Sequence, residues 1–257
     1  MKPITLVFAL YTFLNLSGCS ILADPKLEDW STLRLYSEAK DALNYGDFAN
    51  AIKYYELLEA RYPFGKYAQQ AQLDLIYAYY QFDEPESAIV TAKHFIQLYP
   101  RHPNVDYVYY LKGLVNFERN QGALDRILPL DESQREQSAA VKSFYDFSEL
   151  IERFPNSKYS EDARQRMIHL RNRLAEHELH VARFYMVRRA YVAAANRAKT
   201  VIETYQRTHA VPEALVILAK AYKIMGLNDL SDSTLKVLKL NHPNHEGIAE
   251  VEYLVVK

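Results

Sequence analysis

The chain has 257 residues, with 31 Lys and Arg against 32 Asp and Glu, a formal net charge of −1, one Cys and 7 Gly. A chain of this length buries enough apolar surface to fold without disulfides or metals, so a small cysteine-stapled scaffold is excluded. The near-neutral charge supplies no global field for nucleic acid, and the scattered glycines form no phosphate-cradling loop, which needs two or three of them within about eight residues.

In chain order, Lys2 precedes an apolar run from Ile4 to Leu16 that closes on Leu16-Ser17-Gly18-Cys19. At about 1.5 Å per residue such a run is too short to span a bilayer, and it reads as a signal-peptide core. A small-residue cleavage site ending in the only cysteine resembles the lipobox of bacterial lipoproteins. That resemblance implies removal of residues 1–18 and a lipid on Cys19, as an N-acyl group and an S-diacylglycerol with palmitate-type chains, and no other cofactor. Serine rather than aspartate at position 20 implies transfer to the outer membrane. Several acyl chains anchor a protein durably where one holds it only marginally. Residues 19–30 then form a lipidated N-terminus and flexible tether, and residues 31–257 the folded domain.

The rest of the chain repeats itself. Tyr62-Pro63, Tyr99-Pro100, Phe154-Pro155 and His242-Pro243 each follow an apolar helical run, and Tyr205-Gln206 fills the remaining gap. The intervals of 37, 55, 51 and 37 residues fit one unit of about 37 residues with two insertions. Small residues such as Ala39, Ala51 and Ala88 recur where paired helices approach, with Phe48 and Tyr55 as large knobs. Each proline ends a helix by removing a donor and pushing the residue before it out of helical geometry. The pattern resembles the tetratricopeptide repeat. It implies an all-α, right-handed superhelical solenoid of five repeats, near 32–65, 69–102, 104–157, 158–208 and 212–245, with about ten helices. In the third repeat a helix around Val105 to Glu118 is followed by an insertion at 120–138 carrying Leu124, Ile127, Leu128 and Leu130, which is either a cap on a groove or a partner contact. In the fifth, Ser231 stands where a small packing Ala is expected.

No catalytic or metal constellation emerges. His177-Glu178-Leu179-His180 lacks the zinc-protease spacing, and His242 and His245 sit in a turn. Adjacent carboxylates such as Glu161 and Asp162 point about 100° apart on a helix rather than at one substrate. The chain is therefore expected not to be an enzyme. Tyrosine stands out instead, with 21 copies. Tyr55 and Tyr79 fall on packing positions; the others between Tyr54 and Tyr110, Tyr109 among them, fall off these and suit an open surface that reads an extended peptide.

The run Arg61-Tyr62-Pro63-Phe64-Gly65-Lys66-Tyr67 through Tyr77-Ala78-Tyr79-Tyr80, then His102-Pro103-Asn104-Val105-Asp106-Tyr107, then Pro155-Asn156-Ser157-Lys158-Tyr159, resembles the BamD family, lipoproteins of the outer-membrane β-barrel assembly (BAM) complex. The resemblance implies a protein lipid-anchored on the periplasmic side of the outer membrane. It would bind unfolded outer-membrane proteins through their C-terminal signal, dock to the POTRA domain of BamA nearest the barrel, and join accessory Bam lipoproteins. Carried onto this chain, the substrate-peptide site falls on Tyr62, Phe64, Tyr67, Gln70, Asp74, Tyr77, Asp106, Tyr107 and Tyr110, and BamA docking on Arg188, Arg189, Asn196 and Arg197. The alternative is an envelope lipoprotein scaffold that binds peptidoglycan or cell-wall enzymes, its tyrosines stacking on sugars.

Overall fold

A computed structural model describes Leu27, residues 29–119 and residues 137–255. Cys19, the signal segment and the insertion's Leu124, Ile127, Leu128 and Leu130 lie outside the described residues. The chain divides into two compact units between Ala71 and Gln72.

The first unit is built on a helix hairpin, α1 (Thr32–Asn44) and α2 (Phe48–Arg61). Ser31 starts α1 by accepting the Arg34 N–H at 3.3 Å, and Asp47 starts α2 by accepting the Asn50 N–H at 3.2 Å, each covering an orphan donor of the first turn. Leu35, Ala39 and Leu43 on α1, and Ala51, Tyr55 and Leu58 on α2, recur at helical spacing and are buried, so each helix has one apolar stripe and the two stripes close on one another.

The second unit holds most of α3 (Ala68–Gln81) and then α4 (Pro85–Leu98), α5 (Val105–Glu118), α6 (Ser138–Arg153), α7 (Ser160–Val187), α8 (Tyr191–Thr204), α9 (Val211–Ile224), α10 (Asn228–Asn241) and α11 (Gly247–Glu252). From α4 to α11 each helix packs on the next. One buried cluster joins α3 to α7 around Phe95 and Phe147, a second joins α7 to α9 through Ala182, Ala194 and Ala198, and a third joins α9 to α11. This is the all-helical, sequential packing of a tetratricopeptide-type fold. No helix among the described residues is long and apolar enough to cross a membrane.

Two turn types recur and explain the repeat signature. Between the helices of a hairpin, the chain makes a Schellman turn: the N–H groups of Asp47, Glu84, Ala190 and Leu227 donate to the carbonyls five residues back. The residue before each of them has positive φ: Gly46 at 77° and Gly226 at 76°, but also Asp83 and Arg189 at 60°. Between hairpins, Tyr62, Tyr99, Phe154 and His242 hold φ from −128° to −138° and ψ from 55° to 62°, outside helical geometry, as a following proline requires. The carbonyl of each then accepts the N–H three residues on. Where Gln206 replaces proline, Arg207 takes φ 65° and the Thr208 hydroxyl donates to the Tyr205 carbonyl at 2.7 Å, so a side chain closes the turn.

The end of the chain departs from the expected pairs. Eleven helices lie among the described residues, and α11, beyond the fifth repeat, packs on α9 and α10. Gly247 permits the approach, since a Cβ there would stand 2.4 Å from a Val216 methyl. The Lys223 ammonium donates to the carbonyls of Val251 and Glu252 at 2.6 and 3.0 Å, covering acceptors that a helix end leaves orphaned. Ser231 is buried as the alanine would be, and its hydroxyl donates to the Ala219 carbonyl at 3.0 Å.

Candidate functional site

The nine residues expected to bind peptide divide between the two units: Tyr62, Phe64, Tyr67 and Gln70 lie in the first, and Asp74, Tyr77, Asp106, Tyr107 and Tyr110 in the second. In the first unit, the turn after α2 carries Tyr62, which is half-buried, and Phe64, which stands 95% exposed. Tyr67 stacks on Tyr36 with centroids 4.6 Å apart and planes 12° apart, and the Lys66 ammonium sits 5.4 Å from the Tyr67 ring. One face of the Tyr67 ring is thus already used, while Phe64 offers all of its surface.

In the second unit the aromatic residues of α3, α5 and the start of α7 do come together. Tyr110 stacks on Tyr159 at 4.9 Å and 19°, Tyr107 lies 5.4 Å from the same ring, and Tyr77 lies 6.4 Å from Tyr80. Burial, then the neighbouring Tyr159 and Tyr77 and the Asp74 carboxylate, push the Tyr107 phenol above its ordinary range. Burial and a hydrogen bond with Glu118 do the same to Tyr80. Tyr110 is pushed up to about 12, by burial first and then by its bond to Asp162. These phenols keep their protons at neutral pH, and the Tyr110 hydroxyl donates its own to Asp162.

The polar residues around the cluster hold it in place. Asp162 accepts the Tyr110 hydroxyl at 2.6 Å and the Arg166 Nε–H at 2.6 Å. Partial burial opposes its charge, but these two bonds outweigh it and hold its carboxyl below the usual range. Asp106 accepts the Ser157 hydroxyl at 2.6 Å and the Tyr107 N–H at 2.8 Å, tying the start of α5 to the turn before α7. Asp106 is therefore a positioning residue. Asp74 is buried, and Gln70 is exposed.

Two readings from spacing change. Tyr109, expected on the open face, is 5% exposed and faces Phe154 in the core, because on α5 it points toward α6 while Tyr107 and Tyr110 point toward α7. Tyr159, Asp162 and Arg166 belong to the cluster and were not among the expected residues. Tyr159 had a signal, since it stands four residues after Pro155 as Tyr67 stands four after Pro63.

The docking candidates split as well. Arg189 and Asn196 line one shallow cleft of about 510 Å³ with Tyr191, Val192 and Met225. Arg188 lies over the Phe184 ring at 4.8 Å. Arg197 is turned to α7, where its guanidinium meets the largely buried Glu178 carboxylate at 3.1 Å. A second cleft, of about 460 Å³ between α7, α9 and α11, was not anticipated; Arg183 and Glu213 form a forked ion pair at its edge, at 2.6 and 2.5 Å.

The histidines singled out in the sequence do not converge: His245 Nδ1 accepts the Gly247 N–H at 3.1 Å, and His242 ends α10. Among the described residues no group of three or more His, Cys, Asp or Glu is placed to hold a metal ion.

The family model described as outer membrane lipoprotein, YfiO, matches residues 28–238. An outer membrane protein assembly factor BamD from Neisseria gonorrhoeae is 44% identical over 95% of this chain and 92% of its own length. Proteins of the same name from Vibrio cholerae, 40% identical over 88% of this chain and 93% of their own length, and from Haemophilus influenzae, 34% over 87% and 85%, are also similar.

Proposed function

The chain belongs to the BamD (YfiO) family of outer membrane lipoproteins, and from that premise we propose that it serves the assembly of outer-membrane β-barrel proteins as a lipid-anchored receptor and scaffold. The lipid sits on Cys19, on the periplasmic side, and the role needs no other cofactor and no covalent step. Tethering a receptor and an insertase in one membrane plane raises their effective concentration without new contacts.

The observation that carries the receptor role is the set of Tyr107, Tyr110 and Tyr159 rings with Tyr77 near Tyr107: Asp162, itself bonded to Arg166, accepts the Tyr110 hydroxyl, and Asp106 ties the Tyr107 backbone to Ser157. Phenols fixed in advance lose little rotamer entropy on binding and present apolar ring area, the Tyr110 hydroxyl being already committed to Asp162, which suits a C-terminal strand of alternating apolar residues with an aromatic end. In the first unit, considered by itself, Tyr62 and the exposed Phe64 are a separate aromatic contact for peptide. Tyr107→Ala and Tyr110→Ala should each weaken binding of a peptide copying the last strand of a porin by about tenfold or more. The assay is titration of the mature chain with that peptide and a scrambled control; equal binding of both peptides, or unaltered affinity in both variants, would sink this reading.

Docking to the POTRA domain of BamA is assigned to the cleft with Arg189 and Asn196, with Arg188 over Phe184 and Arg197 against Glu178 as further contacts, and accessory Bam lipoproteins complete the complex. A non-glycine residue in left-handed conformation costs about 1–2 kcal/mol; the turns at Gly46 and Gly226 avoid that cost, Asp83 and Arg189 bear it, and of these Arg189 lines the cleft. Arg189→Gly should therefore raise the unfolding free energy by about 1 kcal/mol while weakening co-purification with BamA. Thermal unfolding and pull-down must move in opposite directions; weaker docking with lower stability would argue against the assignment. For Arg197, glutamine is the better probe, since Arg197→Glu would set a second carboxylate against Glu178.

A further inference from the structure

Trp30 is the single tryptophan of the chain and stands just before α1 in the first unit. Its N–H donates to the Leu27 carbonyl at 3.3 Å, and the same carbonyl accepts from the Arg61 guanidinium at 2.7 Å, so the entering segment is pinned to the end of α2. The indole lies 5.5 Å from the Tyr54 ring. The Arg34 guanidinium lies 4.3 Å from the indole centroid, and the Lys53 ammonium 6.0 Å from that of Tyr54. Leu33, in the first turn of α1 and next to Arg34 in sequence, is 61% exposed. Arg34 reaches Glu38 only at 4.0 Å, and its side chain stays 59% exposed.

Two half-buried rings with polar edges, two exposed cations and an exposed leucine are the side-chain set of a membrane interface: rings settle at headgroup level, cations meet phosphates, and the leucine enters the acyl boundary. The position fits. Ten residues, 20–29, separate Trp30 from Cys19, and eleven Cα steps at about 3.5 Å each reach no more than roughly 40 Å. A lipid on Cys19 thus keeps the patch within reach of the leaflet.

We propose that the Trp30, Leu33, Arg34, Lys53 and Tyr54 patch is a second, reversible contact with the phospholipid surface, holding the first unit against the headgroups rather than leaving it to swing on its tether. This rests on the reading of Cys19 as the lipid anchor. The test reconstitutes the lipidated mature chain into vesicles of phosphatidylethanolamine and phosphatidylglycerol carrying brominated lipids, with bromine either shallow or deep, and follows Trp30 emission. Quenching should be strongest from shallow bromine and should fall as salt is raised. Arg34→Glu and Lys53→Glu should each cut the quenched population about fivefold while the protein still floats with the vesicles and unfolds at an unchanged temperature.

Protein that floats with Trp30 unquenched by either bromine position overturns the patch and leaves the anchor standing. The patch is likewise overturned if quenching survives both charge reversals, or if Trp30 is protected by an added protein partner and not by lipid. Protein that does not float overturns the anchor, and with it the patch.

Discussion

Gly113→Leu should lower stability by about 3 kcal/mol or more and loosen α6 from α5, because there is no room for even the first carbon of the new side chain. A Cβ at Gly113 would stand 2.4 and 2.5 Å from two carbons of the Phe147 ring, and that ring is fully buried among α5, α6 and α7. The approach of the helices is also used for a hydrogen bond, from the Ser143 hydroxyl to the Gly113 carbonyl at 2.9 Å. Glycine inside a helix costs about 1 kcal/mol relative to alanine, so Gly113→Ala recovers part of its clash through propensity and should lose less. Thermal unfolding of both variants checks the order, with a fall of about 2–4 °C expected for each kcal/mol in a chain of this size. Adding Phe147→Leu to Gly113→Leu should restore part of the loss, a non-additivity that two unrelated defects would lack. Peptide binding should fall with stability, since α5 also carries Tyr107 and Tyr110.

Lys112→Ala is expected to cost about 3 kcal/mol, through charge rather than volume. Lys112 is only 8% exposed, and its ammonium lies 3.2 Å from both Asp146 and Glu149 on α6. The network continues: Asn116 donates to Asp146 at 2.7 Å, and Arg153 donates to Glu149 at 3.0 Å. Removing the lysine leaves Asp146, itself 17% exposed, without its cation. Lys112→Met keeps most of the packing and should recover little, whereas Lys112→Met with Asp146→Asn should recover much of the loss, because replacing both charges strands neither. Urea midpoints at constant m-value measure this. Burial opposes the charge on Lys112, but Asp146 and Glu149 outweigh it and hold the group above its ordinary 10.5. A raised folded-state value means that the stabilisation is fully present below the unfolded value and is lost only as pH rises through the folded one. The gap between wild type and Lys112→Ala should therefore be flat from neutral pH to about pH 10 and close beyond it.

The sequence by itself determined the all-helical class, the repeat period and the places where helices stop. These are local properties: a stripe recurs at helical spacing within one helix, and a proline restricts the residue directly before it, as at Tyr62, Tyr99, Phe154 and His242. The membrane-lipoprotein class was legible for the same reason, since a short apolar run with a terminal cysteine is contiguous. Which tyrosines are core and which join the surface cluster was not. Tyr109 and Tyr110 are neighbours in sequence, yet one is core and the other stacks on Tyr159, 49 positions away; Tyr110 bonds Asp162, 52 positions away. Lys112 reads as a charge on a helix face until α6 places two carboxylates beside it, and Arg197 as an exposed cation until α7 presents Glu178. Only the tertiary structure decided these, because a helix has several faces and the one that is buried depends on which later helix stacks against it.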